Sequence, residues 1–380
     1  MIGTRGVPAR YGGFETAVEE VGSRLAARGH RVTVYCRPMD GSPTPATYRG
    51  MGLVWLPALR RRSLETLSHT GLSLGHVLTH RPDAAFVFNS ANSPWLPALR
   101  AARIPVATHV DGLEWRRAKW GATGQRYYRW AEGMAVRWSD ALIADAVGIQ
   151  DYYRRTFGVP TRLLTYGAPL TEAADPARLR ELGLEPGGYH LVVARFEPET
   201  HVHEVVDGYV RSGATRPLVV VGSAPYADEY TARVRALAAG DGRVRFLGGV
   251  WDQELLDSLY AGALTYLHGH SVGGTNPSLL RAIGASAATV AYDVDFNREV
   301  LRSAGRYFRD APDVARLVEE AEEAPQAAAE RGRAGRERAV TYDWDEVADG
   351  YESLAADLAE RAVLRVRGHR RAAAGERQAT

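Results

Sequence analysis

Two glycines, a small hydroxyl and a helix start stand in a row in "GHSVGGTNPSLLRAIGA", residues 269–285. Gly273 and Gly274 allow a backbone to approach a ligand closely. After Thr275, Asn276 suits an N-cap and Pro277 the first helical position, so free N–H groups would aim at an anion such as a phosphate. In "ARFEPETHVHEVVDGY" (194–209), Arg195 follows an apolar run, where its planar fork suits a diphosphate. His201 and His203 are two apart, share no helix face and make no zinc pair; His203 reads as a surface residue. In "GTRGVPARYGGFE" (3–15), Gly12 and Gly13 directly precede a helical pattern. They fit either close approach to an anion or a plain tight turn. The Gly-x-Gly-x-x-Gly spacing of dinucleotide sites is absent, as is a P-loop Gly-Lys-Ser/Thr. "THVDGLEWRRAKWG" (108–121) crowds Asp111, Glu114, Arg116, Arg117 and Lys119 beside two tryptophans. Asp111 suits a hydrogen bond to a sugar hydroxyl, or a base. Trp115 and Trp120 would stack on a sugar face or pack an edge between domains.

These loops need rigid elements behind them. Short β-branched runs alternate with amphipathic segments nearly throughout. Strands are expected at 30–36, 84–88, 104–110 and 140–144, then at 189–194, 217–222, 243–248, 263–268 and 287–292. The helical pattern 14–29 closes on Gly29 as a C-cap. This predicts an α/β chain of two doubly wound Rossmann-like domains facing across a cleft. The domains are expected at 1–168 and 189–340, joined by a linker over 169–188 rich in proline, glycine and charge. "MIGTRG" begins where a first strand should end, so either the start lies upstream or the central strand is stunted. Residues 361–380 become arginine-rich and lose the apolar stripe, as a solvated tail or a contact for anionic lipid headgroups. "VWLPALRRRSLETLSH" (54–69) sets apolar residues beside Arg60, Arg61 and Arg62, as a packed helix with a solvated start or a membrane-surface contact.

Composition narrows the class. The chain of 380 residues is 45% hydrophobic and 24% charged, ordinary for a globular protein of two cores. A net charge of +2 does not suggest a nucleic-acid binder. A single cysteine, Cys36, excludes an internal disulfide and any multi-cysteine metal site, and fits a reducing cytosol. No apolar run approaches the roughly 20 residues that span a bilayer, and no signal peptide is visible. A cytoplasmic protein is expected, at most peripheral on the inner membrane face.

Taken together, "GTRGVPARYGGFET", "DGLEWRRAKWG", "ADAVGIQDYY", "ARFEPE" and "HGHSVGGTNPSLL...AIG" resemble glycosyltransferase family 4, over about residues 1–355 and in the right order. The nearest pattern is the branch with a rhamnosyltransferase-like N-terminal domain. The resemblance implies the GT-B fold and a metal-independent, retaining transfer without a cofactor. The donor would be a nucleoside-diphosphate sugar, with dTDP-rhamnose as the branch's suggestion. The acceptor would be a saccharide or lipid-linked saccharide in polysaccharide assembly. "TYDWDEVADGYESLAADL" (341–358) is similar to the family's C-terminal helix, which would cross back to the first domain over 341–360.

By position, the resemblance implies that Gly12 and Gly13 lie near the diphosphate and that Arg195 binds it. Gly273, Gly274, Thr275 and Asn276 would meet sugar and phosphates. Asp111 stands about where many members carry an active-site histidine, with His109 two residues earlier and facing elsewhere. Arg10, Tyr11, Glu114 and Trp115 fall on the acceptor side. Three departures matter. Gly273 and Arg281 occupy the positions of two family glutamates, and Thr200 that of a lysine. An arginine cannot accept from ribose hydroxyls, but it could reach a phosphate in place of the lysine. Two other readings stay open: a degenerate GT-B protein that binds or scaffolds, and a sugar-nucleotide epimerase of the same architecture.

Overall fold

The structure is a computed structural model that describes every residue except 10–11, 39–40, 42, 60–63, 111, 223–227 and 362–380. Arg10, Tyr11, Asp111, the run Arg60–Arg62 and nearly all of the basic tail therefore lie outside the described residues.

The expected strands form, with short additions. The N-terminal half holds β1 (Thr33–Cys36), β2 (Thr47–Tyr48), β3 (Met51–Trp55), β4 (Ala85–Phe88), β5 (Val106–His109), β6 (Ala141–Ala144) and β7 (Arg162–Leu163). They pair as β1-β3-β2 and β4-β5-β6-β7. Met1 and Ile2 join these two sheets. Tyr35 N–H donates to the Met1 carbonyl at 3.2 Å, while Ile2 exchanges bonds with Phe86 and Phe88 at 3.0 and 2.9 Å. Two residues thus serve as the central strand. The segment 54–69 is not one helix: Val54 and Trp55 end β3, and a helix begins only at Glu65. An apolar run this short has no periodicity that separates strand from helix.

The C-terminal half is a six-stranded parallel sheet in the order β10-β9-β8-β11-β12-β13. Its strands are β8 (His190–Val193), β9 (Leu218–Val221), β10 (Val244–Gly248), β11 (Thr265–His268), β12 (Ala288–Tyr292) and β13 (Arg306–Phe308). β9 and β11 are buried along their whole length, as strands covered by helices on both faces must be. The direction of winding reverses between β8 and β11, so a crevice opens beyond their carboxyl ends.

The helices follow their sequence signals. Helix Gly13–Ala27 buries Ala17, Val18, Val21, Gly22 and Leu25 on one stripe. Gly29, at φ 94°, ends it: Gly29 and His30 donate back to Ala26 and Leu25, and both bonds require the left-handed turn that glycine adopts freely. Helix Trp344–Ala359 is capped by Asp343 and returns to the N-terminal half. There Arg24 meets Asp345 at 2.7 Å, Arg28 meets Glu352 at 2.7 Å and Arg162 meets Asp357 at 2.6 Å. Trp344 lies flat against Gly167, where a Cβ would stand 2.4 Å from its ring. Within the 169–188 segment, helix Pro176–Glu181 buries Leu179 in the core of the C-terminal half. Among the described residues no helix is long and apolar enough to cross a membrane.

Candidate functional site

The loops after β8 and β11 open at the switch point and face the N-terminal half. Asn276 caps helix Pro277–Gly284 by accepting from Ser278 N–H at 3.0 Å, which fixes the helix start. The opposite face carries the start of helix Gly13–Ala27, with Gly12 at φ 114°. The two starts meet. A Cβ on Gly13 would stand 3.1 Å from the Tyr166 hydroxyl and 3.3 Å from Pro277 Cγ. Each N-terminus carries roughly half a positive charge, so together they favour a polyanion between the halves.

The glycines of the 269–276 loop do a second job. A Cβ on Gly112 would overlap the Gly273 backbone, and one on Gly274 would lie 1.9 Å from Asp145 Oδ1. Thr275 donates its hydroxyl to the Asp145 carbonyl at 2.6 Å and is buried. This loop therefore seals against the N-terminal half as well as pointing into the crevice.

Arg195 is half exposed and pairs with Glu197 at 3.7 Å. Thr200 is buried and donates to the carbonyls of Arg195 and Glu197 at 2.8 and 2.7 Å. It closes the loop in which the resemblance implied a lysine. Arg281 faces the next helix, Gln253–Gly262, and pairs with Asp257 at 3.3 Å. Burial raises the Asp257 carboxyl, and Arg281 opposes that rise.

Glu114 is buried and fully engaged. Arg117 binds it, Lys119 Nζ lies at 2.8 Å and Trp120 Nε1 donates at 3.1 Å. Burial alone would raise its carboxyl; Arg117 and Lys119 overcome that and hold it down to about 2. It acts as an internal counter-ion. Trp115 is half-buried, with the Arg129 guanidinium 4.2 Å above its ring and that of Arg116 at 5.2 Å.

His109 lies in the core, packed edge-on to Phe14 and Phe88, with Tyr351 3.3 Å from its Nδ1. Burial lowers its imidazole to about 3, so it stays neutral. His203, expected at the surface, is partly buried: it meets the Tyr230 hydroxyl at 2.9 Å, and burial lowers it to about 4. The apolar faces of Val205 and Val206 pull its helix inward.

The starts of helices Gly13–Ala27 and Pro277–Gly284, the 269–276 loop and the Arg195 loop thus meet at one junction between the halves, with Thr275 buried in it. Glu114 and Trp115 lie beside it on the N-terminal half, and Arg281 is held by Asp257. Reading the sequence alone missed Asp145, Tyr166, Glu197 and Glu199. Asp145 had a signal, a carboxylate at the carboxyl end of a strand inside "ADAVGIQDYY". A shallow pocket of about 350 Å³ lies elsewhere, lined by Arg298, Tyr307, Arg309 and Arg316 near β13. Its arginines face Asp293, Asp313 and Glu320, so their charge is already met within the fold.

Residues 12–168 match the glycosyl transferase 4-like domain, and residues 180–338 match the glycosyl transferases group 1 domain. Among solved structures, HepE from Anabaena in complex with UDP and glucose superposes with a TM-score of 0.75. That match is 15% identical and covers 93% of this chain and 98% of HepE. A glycosyltransferase from Rickettsia africae gives a TM-score of 0.65 at 11% identity, covering 93% of this chain and 97% of that one. TarM from S. aureus, solved with UDP and an α-GlcNAc-glycerol, gives 0.61 at 12% identity, over 77% of this chain and 59% of TarM. No match was found among the curated proteins. These structural likenesses carry the fold, two Rossmann-like domains of GT-B type.

Proposed function

Since the chain belongs to the GT-B glycosyltransferases that join a glycosyl transferase 4-like domain to a group 1 domain, we propose that its crevice transfers a hexose with retention. The donor would be a nucleoside-diphosphate sugar and the acceptor a saccharide or a lipid-linked saccharide. The observation that carries this reading is the convergence of two helix starts, at Gly13 and Pro277, beside the Arg195 loop. A sugar-nucleotide bond breaks when negative charge on the departing diphosphate is stabilised. Two oriented helix termini and a guanidinium supply that stabilisation without rearranging.

In this reading the backbone of Gly12 and Gly13 borders the diphosphate from one side. Gly273, Gly274 and Asn276 border it from the other, and Arg195 grips it. Asp111, which follows β5 in the sequence, would serve the reacting sugar or the acceptor hydroxyl, with Arg10, Tyr11 and Trp115 toward the acceptor and Glu114 behind them as the counter-ion of Arg117 and Lys119. Arg281 is restrained by Asp257 rather than turned on a phosphate, so the nucleoside end of the donor is recognised differently here than by a glutamate at that position.

The test is turnover. Incubation with a panel of UDP-, GDP- and dTDP-hexoses, dTDP-rhamnose included, and with saccharide acceptors should release a nucleoside diphosphate from at least one donor in step with an extended acceptor. Arg195→Ala should lower that rate about a hundredfold, the scale of one bidentate charge-assisted contact. Turnover of no donor in the panel, or an Arg195→Ala rate equal to the parent's, would contradict the proposal.

A further inference from the structure

Two guanidiniums from two halves of the molecule face one carboxylate. Glu197 Oε2 lies 3.7 Å from Arg195 Nη2, on its own loop, and 3.8 Å from Arg117 Nη1, on the opposite half. Arg117 Nη1 also stands 3.6 Å from Glu199 Oε1. These are contacts of charge longer than hydrogen bonds, and among the described residues Glu197 Oε2 accepts no hydrogen bond although it is buried. Burial would raise the Glu197 carboxyl, but Arg195, Lys119 and Arg117 together hold it low. Glu199, by contrast, is raised by burial and by Glu197 beside it. The cluster thus sets Arg195, Arg117 and Lys119 against the carboxyl groups of Glu114, Glu197 and Glu199.

On the N-terminal side the cations are tied down. Glu114 grips Arg117 through Nε and Lys119 through Nζ, so Arg117 turns its Nη1 toward the other half. On the C-terminal side the positive charge is thin. Arg195 is the one cationic side chain in 194–200, since Thr200 is neutral and its hydroxyl closes the turn.

We propose that Arg117 binds the donor's diphosphate together with Arg195, supplying from the opposite domain the second cation that Thr200 does not provide, and that Glu197 holds the two guanidiniums until the diphosphate replaces it. The inference rests on the transferase reading above. A diphosphate oxygen accepts hydrogen bonds from both guanidiniums at closer range than a carboxylate held at 3.7–3.8 Å. Donor binding would then bridge the two domains through Arg117, and Glu197 would compete with it.

Calorimetry with UDP, GDP and dTDP, beside an NMR titration with the matching nucleoside at millimolar concentration, separates the possibilities. The parent protein should bind at least one diphosphate. Arg117→Gln should weaken that affinity about tenfold or more and leave the nucleoside's unchanged, and Arg117→Lys should recover part of the loss. Glu197→Gln removes a competitor without removing a cation, so it should tighten diphosphate binding severalfold. Unchanged diphosphate affinity in Arg117→Gln, an equal loss for diphosphate and nucleoside, or weaker diphosphate binding in Glu197→Gln would each overturn this inference while leaving the transferase reading intact. Failure of the parent protein to bind any of the three diphosphates would overturn both.

Discussion

Arg117 and Arg281 are both arginines beside a loop that opens on the crevice, and both face carboxylates. They differ in where those carboxylates sit. Arg281 has Asp257 on the neighbouring helix of its own domain, at 3.3 Å. Arg117 has Glu114 on its own domain, and Glu197 and Glu199 across the crevice at 3.8 and 3.6 Å. A pair inside one domain keeps its partners whatever the crevice holds. A contact shared between domains, and longer than a hydrogen bond, is the one an incoming anion can replace. On the proposal above, the location of the counter-ion, more than the identity of the cation, would separate a packing arginine from one that answers a ligand.

The largest effect should come from removing room between the domains. Gly274→Ala would drive a Cβ into Asp145, which sits against the sealing loop. Sugar transfer should fall at least a hundredfold and the melting temperature by several degrees, as overpacking of about 1–3 kcal/mol implies; scanning calorimetry and a transfer assay read both. Unchanged activity and melting temperature would mean that Gly274 does not pack on Asp145 as described.

Next in size is the exchange at the in-domain pair. Arg281→Glu alone sets a second carboxyl against that of Asp257, and should lower stability by about 1 kcal/mol. Adding Asp257→Asn should restore the melting temperature. If position 281 faces the donor's ribose, the double variant should also bind nucleoside diphosphate about tenfold more tightly than the parent. Restored stability with no gain in affinity would place Arg281 wholly in the packing.

A smaller effect is expected at Thr275. Its hydroxyl bond to the Asp145 carbonyl links the two domains at 2.6 Å. Thr275→Val should cost about 1 kcal/mol in denaturant unfolding and shift the domain closure rather than the donor's nucleoside affinity. Loss of the nucleoside's affinity instead would give the hydroxyl a direct place on the ligand.

The sequence pattern anticipated β1, β4 to β6 and β8 to β12, because each is a run of four or five residues bounded by turn signals, largely buried in all but the half-buried β10. It did not anticipate β2 and β7, which have two residues each and no period to detect, or β13, which has three. β3 was misread because Val54 and Trp55 run straight into an apolar, basic segment. The loops of the site were legible for local reasons. Gly12 and Gly13 precede a helix, Asn276 and Pro277 open another, and Arg195 follows a strand, all within a few residues. What faces these loops was not legible. Arg117 meets Glu197, Thr275 meets Asp145 and Tyr351 meets His109 across separations that only the tertiary fold creates.

Direct titration of the unmodified protein with UDP, GDP and dTDP by isothermal calorimetry tests the central claim, that this crevice holds the diphosphate of a sugar donor. The account predicts saturable binding of at least one of them and its loss in Arg195→Ala, with the variant still folded. Absence of binding to all three at millimolar concentration, or equal binding by Arg195→Ala, would contradict it.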